Sequence, residues 1–448
     1  LSEYIKILIF PLFILLVCVI WIIFGSTYLK IHPFLVLLSA SIFLAFVLGL
    51  PSEEIGKLIG RGFGRTFESI GLLIIYGTII GVILEKSNAT KSIANKIIKS
   101  VSNLPIPFVV SFIGYIVSIP VFCDSAFVIL NSLNKSLSEK TKTPLVSLTV
   151  ALSTGLYAPH VLIPPTPGPL AAAANLELKN IFLLILIGGI VSFLLIIIGA
   201  IYANSLSKSK NTNNLNHREV KNELDIDIDL PGFKLSIAPI VIPIVLMGIG
   251  TIFSSYIEYP LIDFITQPSS ALMIGMIFSF FLLKNKDFKK LDEFIKQGII
   301  NAAPILILTG MGGTLGIIIQ QLPIDSYLEK ISINPQFGII LPFLISAALK
   351  TTQGSSTVAI ITTSAIVFPL LPILGMDNEL GKVWVIVSLG VGSMTVSHAN
   401  DSYFWIVSQM GGLDIKTAYK THTFATFIQG ISGLIIILLM YNFWKIIF

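Results

Sequence analysis

Five ionisable side chains stand inside or at the edge of long uncharged stretches, where a charge is costly and is a functional candidate by default: Asp124, His160, Lys350, His398 and Asp401. Asp124 follows Ile119-Pro120-Val121-Phe122-Cys123, just past a helix-interrupting proline. A carboxylate taken out of water can bind and release a proton near neutrality, which proton coupling requires. The plainer reading makes Asp124 the N-cap of the next helix. His160 and His398 lie in two irregular regions, where an imidazole can titrate and donate to a carboxylate or can be a satisfied core residue. Asp401 shares the run Val383–Ile415 with a single other formal charge, Asp414, and is a candidate for coupling or for a polar contact with substrate. Lys350, at the end of Ala347-Ala348-Leu349, could neutralise an anion or snorkel from a helix end.

Around these charges lie polar clusters rich in hydroxyls and glycine. Ser153-Thr154-Gly155 and Gln353-Gly354-Ser355-Ser356-Thr357 supply hydroxyls and freed amides, and a broken-helix N-terminus built from such groups binds a carboxylate without a dedicated cation. Thr166 and Gly168, inside Pro164-Pro165-Thr166-Pro167-Gly168-Pro169, precede a resumed helix and are read the same way. Simple kinks lined by small packing residues are the bland alternative. There is no P-loop, GxGxxG, GxSxG or HExxH pattern, so neither ATP-driven pumping nor zinc proteolysis is indicated, and no cofactor or metal is expected. Cys18 and Cys123 sit far apart in apolar runs and read as small core hydrophobes.

The elements that must position these groups are membrane helices. The chain has 448 residues, of which 12% are charged and 54% apolar, with a mean hydropathy of +0.89, which a soluble fold of this size could not hide from water. The net charge of +5 is spread over short loops, so a nucleic-acid partner is not expected. Crossing the hydrocarbon core takes about 20 apolar residues, and the spans expected are 7–29 (retained, not a signal peptide), 31–50, 69–84, 101–123, 181–206, 235–257, 264–283, 297–324, 331–349, 383–396 and 421–444. Two uncharged regions, 143–176 and 351–374, are too rich in proline, glycine or hydroxyls for continuous helix. They are expected to face protein or a water-filled cavity, as broken backbone at membrane depth must. Lys57, Arg61 and Arg65 precede the span 69–84 while Lys86, Lys91, Lys96 and Lys99 follow it, so the positive-inside rule barely discriminates orientation.

A hydrophilic linker, 207–234, divides a first half, 1–206, from a second, 235–448. Gly77-Thr78 resembles Gly313-Thr314 at an offset of 236 residues, and Gly155 and His160 stand to Gly392 and His398 at nearly the same offset. Repeated halves with broken segments in corresponding places point to a secondary transporter with its site near the midplane. A channel would instead be expected to show one continuous pore.

Four stretches make the chain similar to the gluconate permease family, the bacterial symporters of gluconate, related sugar acids and, in one branch, D-serine. They are Ile119–Asp124, Leu162–Pro169, Ala347–Ala359 and Ser397–Trp405, in matching order and spacing. The resemblance implies an all-α polytopic fold of the ion-transporter elevator type. Two inverted repeats, a scaffold part, a moving part with two re-entrant hairpins and a homodimer go with it. It also implies proton-coupled symport of a small anionic hydroxy-carboxylate across the bilayer of the bacterial cytoplasmic membrane. Family members often carry His where this chain has Thr166, so the substrate need not be gluconate. The expectation is that substrate carboxylate meets Thr166, Gly168 and Gln353–Thr357, that Asn400 and Ser402 bond its hydroxyls, and that Asp124, with His160, His398 or Asp401, takes the proton. A D-serine or citrate-like carrier and, further off, an intramembrane enzyme are the alternatives.

Overall fold

The computed structural model describes residues 28–100, 104–207, 230–253, 259–283, 288–319, 321, 336–399 and 401–447, with a few positions between 14 and 25. The regular structure among them is helical throughout. In the first half run α1 (Pro33–Val47), α2 (Ser52–Lys86), α3 (Ala89–Ser100), α4 (Ile106–Val117), α5 (Cys123–Thr141), α6 (Leu145–Leu162), α7 (Pro167–Asn175) and α8 (Ile181–Ser207). The second half holds α9 (Phe233–Phe253), α10 (Pro260–Thr266), α11 (Pro268–Phe280), α12 (Phe288–Ile319), α13 (Phe337–Gln353), α14 (Ser356–Val367), α15 (Glu379–Met394), α16 (Ser402–Met410), α17 (Ile415–Ala418) and α18 (Phe424–Ile447).

Six of these segments among the described residues are long and apolar enough to cross a membrane, or up to seven if α10 and α11 count together. Several expected single spans are therefore corrected. The stretch 101–123 is a short α4 followed by a break at Ser118–Phe122, because Pro120 cannot continue a helix. The stretch 264–283 bends by 71° where α10 meets Pro268. Conversely, α6 runs unbroken through Gly155 and Pro159, because Pro159 gives up one hydrogen bond only a turn before the helix ends. The 143–176 region breaks at 163–166 alone, where the Pro164–Pro165 bond is cis.

The two longest helices pack on each other through glycines. A methyl on Gly62 of α2 would stand 2.5 Å from the Thr314 Cα, and one on Gly298 of α12 would stand 2.8 Å from the Ile79 Cα. Gly62 meets the far end of α12 while Ile79 meets its start, so the pair is antiparallel. Gly62 and Gly298 are 236 residues apart, the offset that also relates Thr78 to Thr314. Further along α2, Gly77 and Gly81 lie against the Pro165 and Pro120 carbonyls, so this helix touches both proline breaks. On α8, Leu186, Ile190, Phe193 and Ile201 form an exposed apolar stripe at helical spacing, suited to lipid, while Leu184, Val191 and Leu195 are buried.

Candidate functional site

Four helix breaks, at 118–122, 163–166, 354–355 and after Met394, each end one helix and begin another, and the buried Lys350 and Asp401 lie beside two of them. The helix α5 starts after Phe122, which is its N-cap, so Asp124 stands in the first turn and the plainer reading of it as the cap does not hold. Gly354 ends α13 with φ of 77°, in the left-handed region where glycine carries no Cβ penalty, and the Ser355 hydroxyl then caps α14 by accepting from the Val358 N–H. Asp401 follows the break after α15, its N–H bonded to the His398 carbonyl at 2.8 Å, and its carboxylate caps α16 by accepting from the Tyr403 N–H at 3.1 Å. Thr166 precedes α7, its own hydroxyl donating back to the Ile163 carbonyl at 2.5 Å.

Lys350 and Asp401 form an ion pair at the centre, with Lys350 only 1% exposed. Lys350 therefore does not snorkel. Its Nζ also donates to the Gly354 carbonyl at 3.2 Å and lies 5.9 Å from the Tyr157 ring centroid. Taking two charges out of water costs several kcal/mol each, and such a pair persists only when further hydrogen bonds satisfy it. They are present. The Ser397 hydroxyl donates to Asp401 Oδ2 at 2.5 Å, and His422 Nε2 lies 3.1 Å from Ser397 Oγ. The other ring nitrogen, Nδ1, lies 3.1 Å from Ser153 Oγ, and the Tyr403 hydroxyl donates to the Ser153 carbonyl at 2.9 Å. Ser397 is further fixed through its N–H to Thr426 Oγ1 and through the Thr423 hydroxyl, which donates to its carbonyl.

Asp124 lies within electrostatic reach of both members of the pair, and its Oδ1 is buried with no hydrogen-bond partner among the described residues. His160 is buried with its ring 5.9 Å from Phe122, and its Nδ1 likewise lacks a partner. His398 lies 3.0 Å, through Nε2, from the Thr351 carbonyl, linking the second-half break to the end of α13. Other expected residues lie apart. Thr154 bonds the Val150 carbonyl and packs on Gly199 of α8, Gly168 lies over Ile360, and Ser402 is exposed. Ser356 and Thr357 are half-buried in the first turn of α14. Asn400 is outside the described residues.

Sequence reasoning missed His422 and Ser397, the two groups that extend the ion pair into a chain. His422 sits beside Lys420 at the head of an apolar run, a place that reads as a solvated helix end. A π-helical turn over Tyr419–Thr423 instead buries it completely, and such a turn inside a helix is itself a functional signal. A cavity of about 480 Å³ lies elsewhere, between α2, the end of α7 and α12, beside an Arg65–Glu177 ion pair of 3.0 Å. No group of three His, Cys, Asp or Glu among the described residues could hold a metal ion.

Comparison with known proteins follows this geometry. The sequence profile of GntP family permeases matches residues 10–443. An uncharacterized permease of Haemophilus influenzae is 33% identical, covering 96% of this chain and 92% of its own. The gluconate permease of Pseudomonas aeruginosa is 28% identical over 95% of this chain and 96% of its own. The D-serine transporter DsdX of Escherichia coli K12 is also 28% identical, over 94% of this chain and 96% of its own. Among solved structures, the YdaH transporter of Alcanivorax borkumensis superposes with a TM-score of 0.67 at 14% identity, covering 92% of this chain and 99% of that one, a likeness of fold.

Proposed function

The chain belongs to the GntP family of permeases, a multi-pass inner-membrane transporter and not an enzyme, and we propose that it carries gluconate or a related small hydroxy-carboxylate together with protons. The observation that carries this reading is the buried Lys350–Asp401 pair beside a second carboxylate, Asp124. A substrate carboxylate entering beside Lys350 displaces Asp401. Unless one proton joins Asp124 or Asp401 for each anion, the buried site gains a negative charge in a medium where that is costly. Proton binding and substrate binding then favour each other by the same free energy. The amides and hydroxyls of Gly354–Thr357, next to Gln353 at the start of α14, add a helix N-terminus to the anion site.

The paired contacts of Gly62 with Thr314 and of Gly298 with Ile79, at one offset and antiparallel, support reading 1–206 and 235–448 as inverted repeats joined by the linker 207–234. In this reading α2 and α12 belong to a static scaffold, the broken segments move as one body of elevator type, and the transporter works as a homodimer. A D-serine or other small amino-acid carrier of the same fold is the second reading, favoured by the equal 28% identity to a D-serine transporter.

The test is uptake into proteoliposomes of labelled gluconate under an inward proton gradient, an inward sodium gradient and none, with D-serine, glycerate and citrate as competitors. Accumulation under the proton gradient alone is expected, as is its loss, with exchange retained, in Asp124→Asn. Accumulation under sodium alone would overturn proton coupling. Uptake of D-serine but not gluconate would move the substrate assignment to the second reading.

A further inference from the structure

Beyond the ion pair, the hydrogen-bond chain leads outward. Asp401, Ser397, His422 and Ser153 follow one another at 2.5, 3.1 and 3.1 Å, and all four are buried. With Asp401 ionised opposite Lys350, Ser397 donates to it, so Ser397 Oγ accepts from His422 Nε2–H and Nδ1 is left to accept from Ser153, whose one hydroxyl proton has the Val150 carbonyl, at 3.0 Å, as its other acceptor. One turn back along the same face of α6 is Thr149, fully buried, whose hydroxyl has no partner among the described residues. Thr149 packs on Gly411, and the adjacent Met410 carbonyl accepts from Asn131 Nδ2 at 2.9 Å. Asn131 Oδ1 has no partner among the described residues, nor have Oδ1 and Nδ2 of Asn134, three residues on along α5. Ser138 follows one turn later, donating to the Thr143 carbonyl at 2.7 Å in the exposed α5–α6 turn.

Four buried polar atoms without protein partners among the described residues, on two facing helices, would each be costly to leave dry. Buried water satisfies such groups when it finds two to four of them together. We propose that ordered water occupies the space among Thr149, Asn131 and Asn134, and that this water, Ser153, His422 and Ser397 form the route by which protons reach Asp401 from the α5–α6 turn. This rests on the proton-coupled reading above. The step is a concerted shift. Water gives a proton to Ser153 as Ser153 gives its own to His422 Nδ1. The Nε2 proton passes to Ser397, and the Ser397 proton to Asp401. One proton enters, one arrives, and only the tautomer of His422 differs afterwards. Asp401, now neutral, frees Lys350 for a substrate carboxylate. The titratable and charged groups around the inner end of this route are Cys123 and Asp124 from α5, Tyr157 and His160 from α6, Lys350 from α13 and Tyr403 from α16, and Glu139, Lys140 and Lys142 stand at its outer end.

Two measurements on the full-length chain test the route. The first is radiolytic hydroxyl-radical labelling. Tyr403, 2% exposed and bonded to Ser153, should be labelled in the wild type by adjacent interior water, and Thr149→Val with Asn134→Leu should remove that label. The second is transport in proteoliposomes. The same substitutions should slow proton-driven uptake roughly tenfold or more while substrate exchange stays within about twofold, because a proton relay is broken and the substrate site is not. His422→Gln should slow proton-driven uptake more than exchange. An unlabelled Tyr403, or wild-type proton-driven rates in the doubly substituted chain, would overturn the route and leave proton coupling standing. A wild type that accumulates substrate without using a proton gradient would overturn the coupling reading and the route with it.

Discussion

A lysine 1% exposed and an aspartate 4% exposed, paired inside a membrane protein, are held by each other and by the groups around them. Removing one partner leaves a bare buried charge, which costs about 3–5 kcal/mol, whereas removing both leaves none. Asp401→Asn and Lys350→Met alone should therefore each lower the unfolding midpoint in detergent and the folded yield. The double substitution Lys350→Met with Asp401→Asn should restore much of that stability yet carry no substrate, because the cation is gone. Equal stability in all three variants would mean that the pair is not structural. Lys350 and Asp401 were each legible as candidates from residue type and apolar surroundings. Their pairing was not, since they come from helices 51 positions apart in the chain and nothing in either local sequence marks the other. His422 was passed over although it falls within the expected span 421–444, because it stands at the very start of that span two residues after Lys420, and only the π turn carries the ring inward.

At the scale of the element, prolines and glycines announced the breaks after α6 and α13, and their physical reason carried through: neither residue type sustains helical hydrogen bonding or geometry there. Charge-free length misled elsewhere. A window of uncharged residues cannot distinguish a full span from the 15-residue α1, the 12-residue α4 or the 17-residue α13, each too short alone for a bilayer that takes about 20 residues. The α13–α14 tip is where backbone geometry and site meet. Gly354 sits at φ of 77° and its carbonyl accepts from Lys350, so Gly354→Ala should cost about 1–2 kcal/mol for the left-handed conformation and also displace the cation. Gly49, after α1, has a φ of 69° and open space around it. Gly49→Ala should cost a similar amount of stability, read by thermal unfolding, but leave the KM for substrate unchanged, whereas Gly354→Ala should raise KM several-fold. A matching KM in both would remove the tip from the binding site.

Across the whole molecule, α2 touches two kinds of neighbour, and the elevator reading assigns them different fates. Against α12 the contacts run along both helices, from Gly62 at Thr314 to Ile79 at Gly298. Against the broken segments α2 offers Gly77 and Gly81, which meet the Pro165 and Pro120 carbonyls, small residues where a packed surface can slide. If α2 and α12 are scaffold and the broken segments move, a covalent link between α2 and α12 is harmless and one between α2 and a break is not. Two cysteine pairs make the comparison at matched geometry. A Cβ built at Gly77 lies 3.3 Å from the Pro165 Cβ, and one built at Gly313 lies 3.3 Å from the Thr66 Cβ, both just under the range of about 3.5–4.5 Å that disulfides span. In a background with Cys18 and Cys123 replaced by alanine, oxidation of Gly77→Cys with Pro165→Cys should stop uptake, and reduction should restore it. Oxidation of Thr66→Cys with Gly313→Cys should leave uptake near its reduced rate. Should the α2–α12 link block transport and the α2–break link spare it, the moving body includes one of the two long helices, and the division into scaffold and carrier must be redrawn between them.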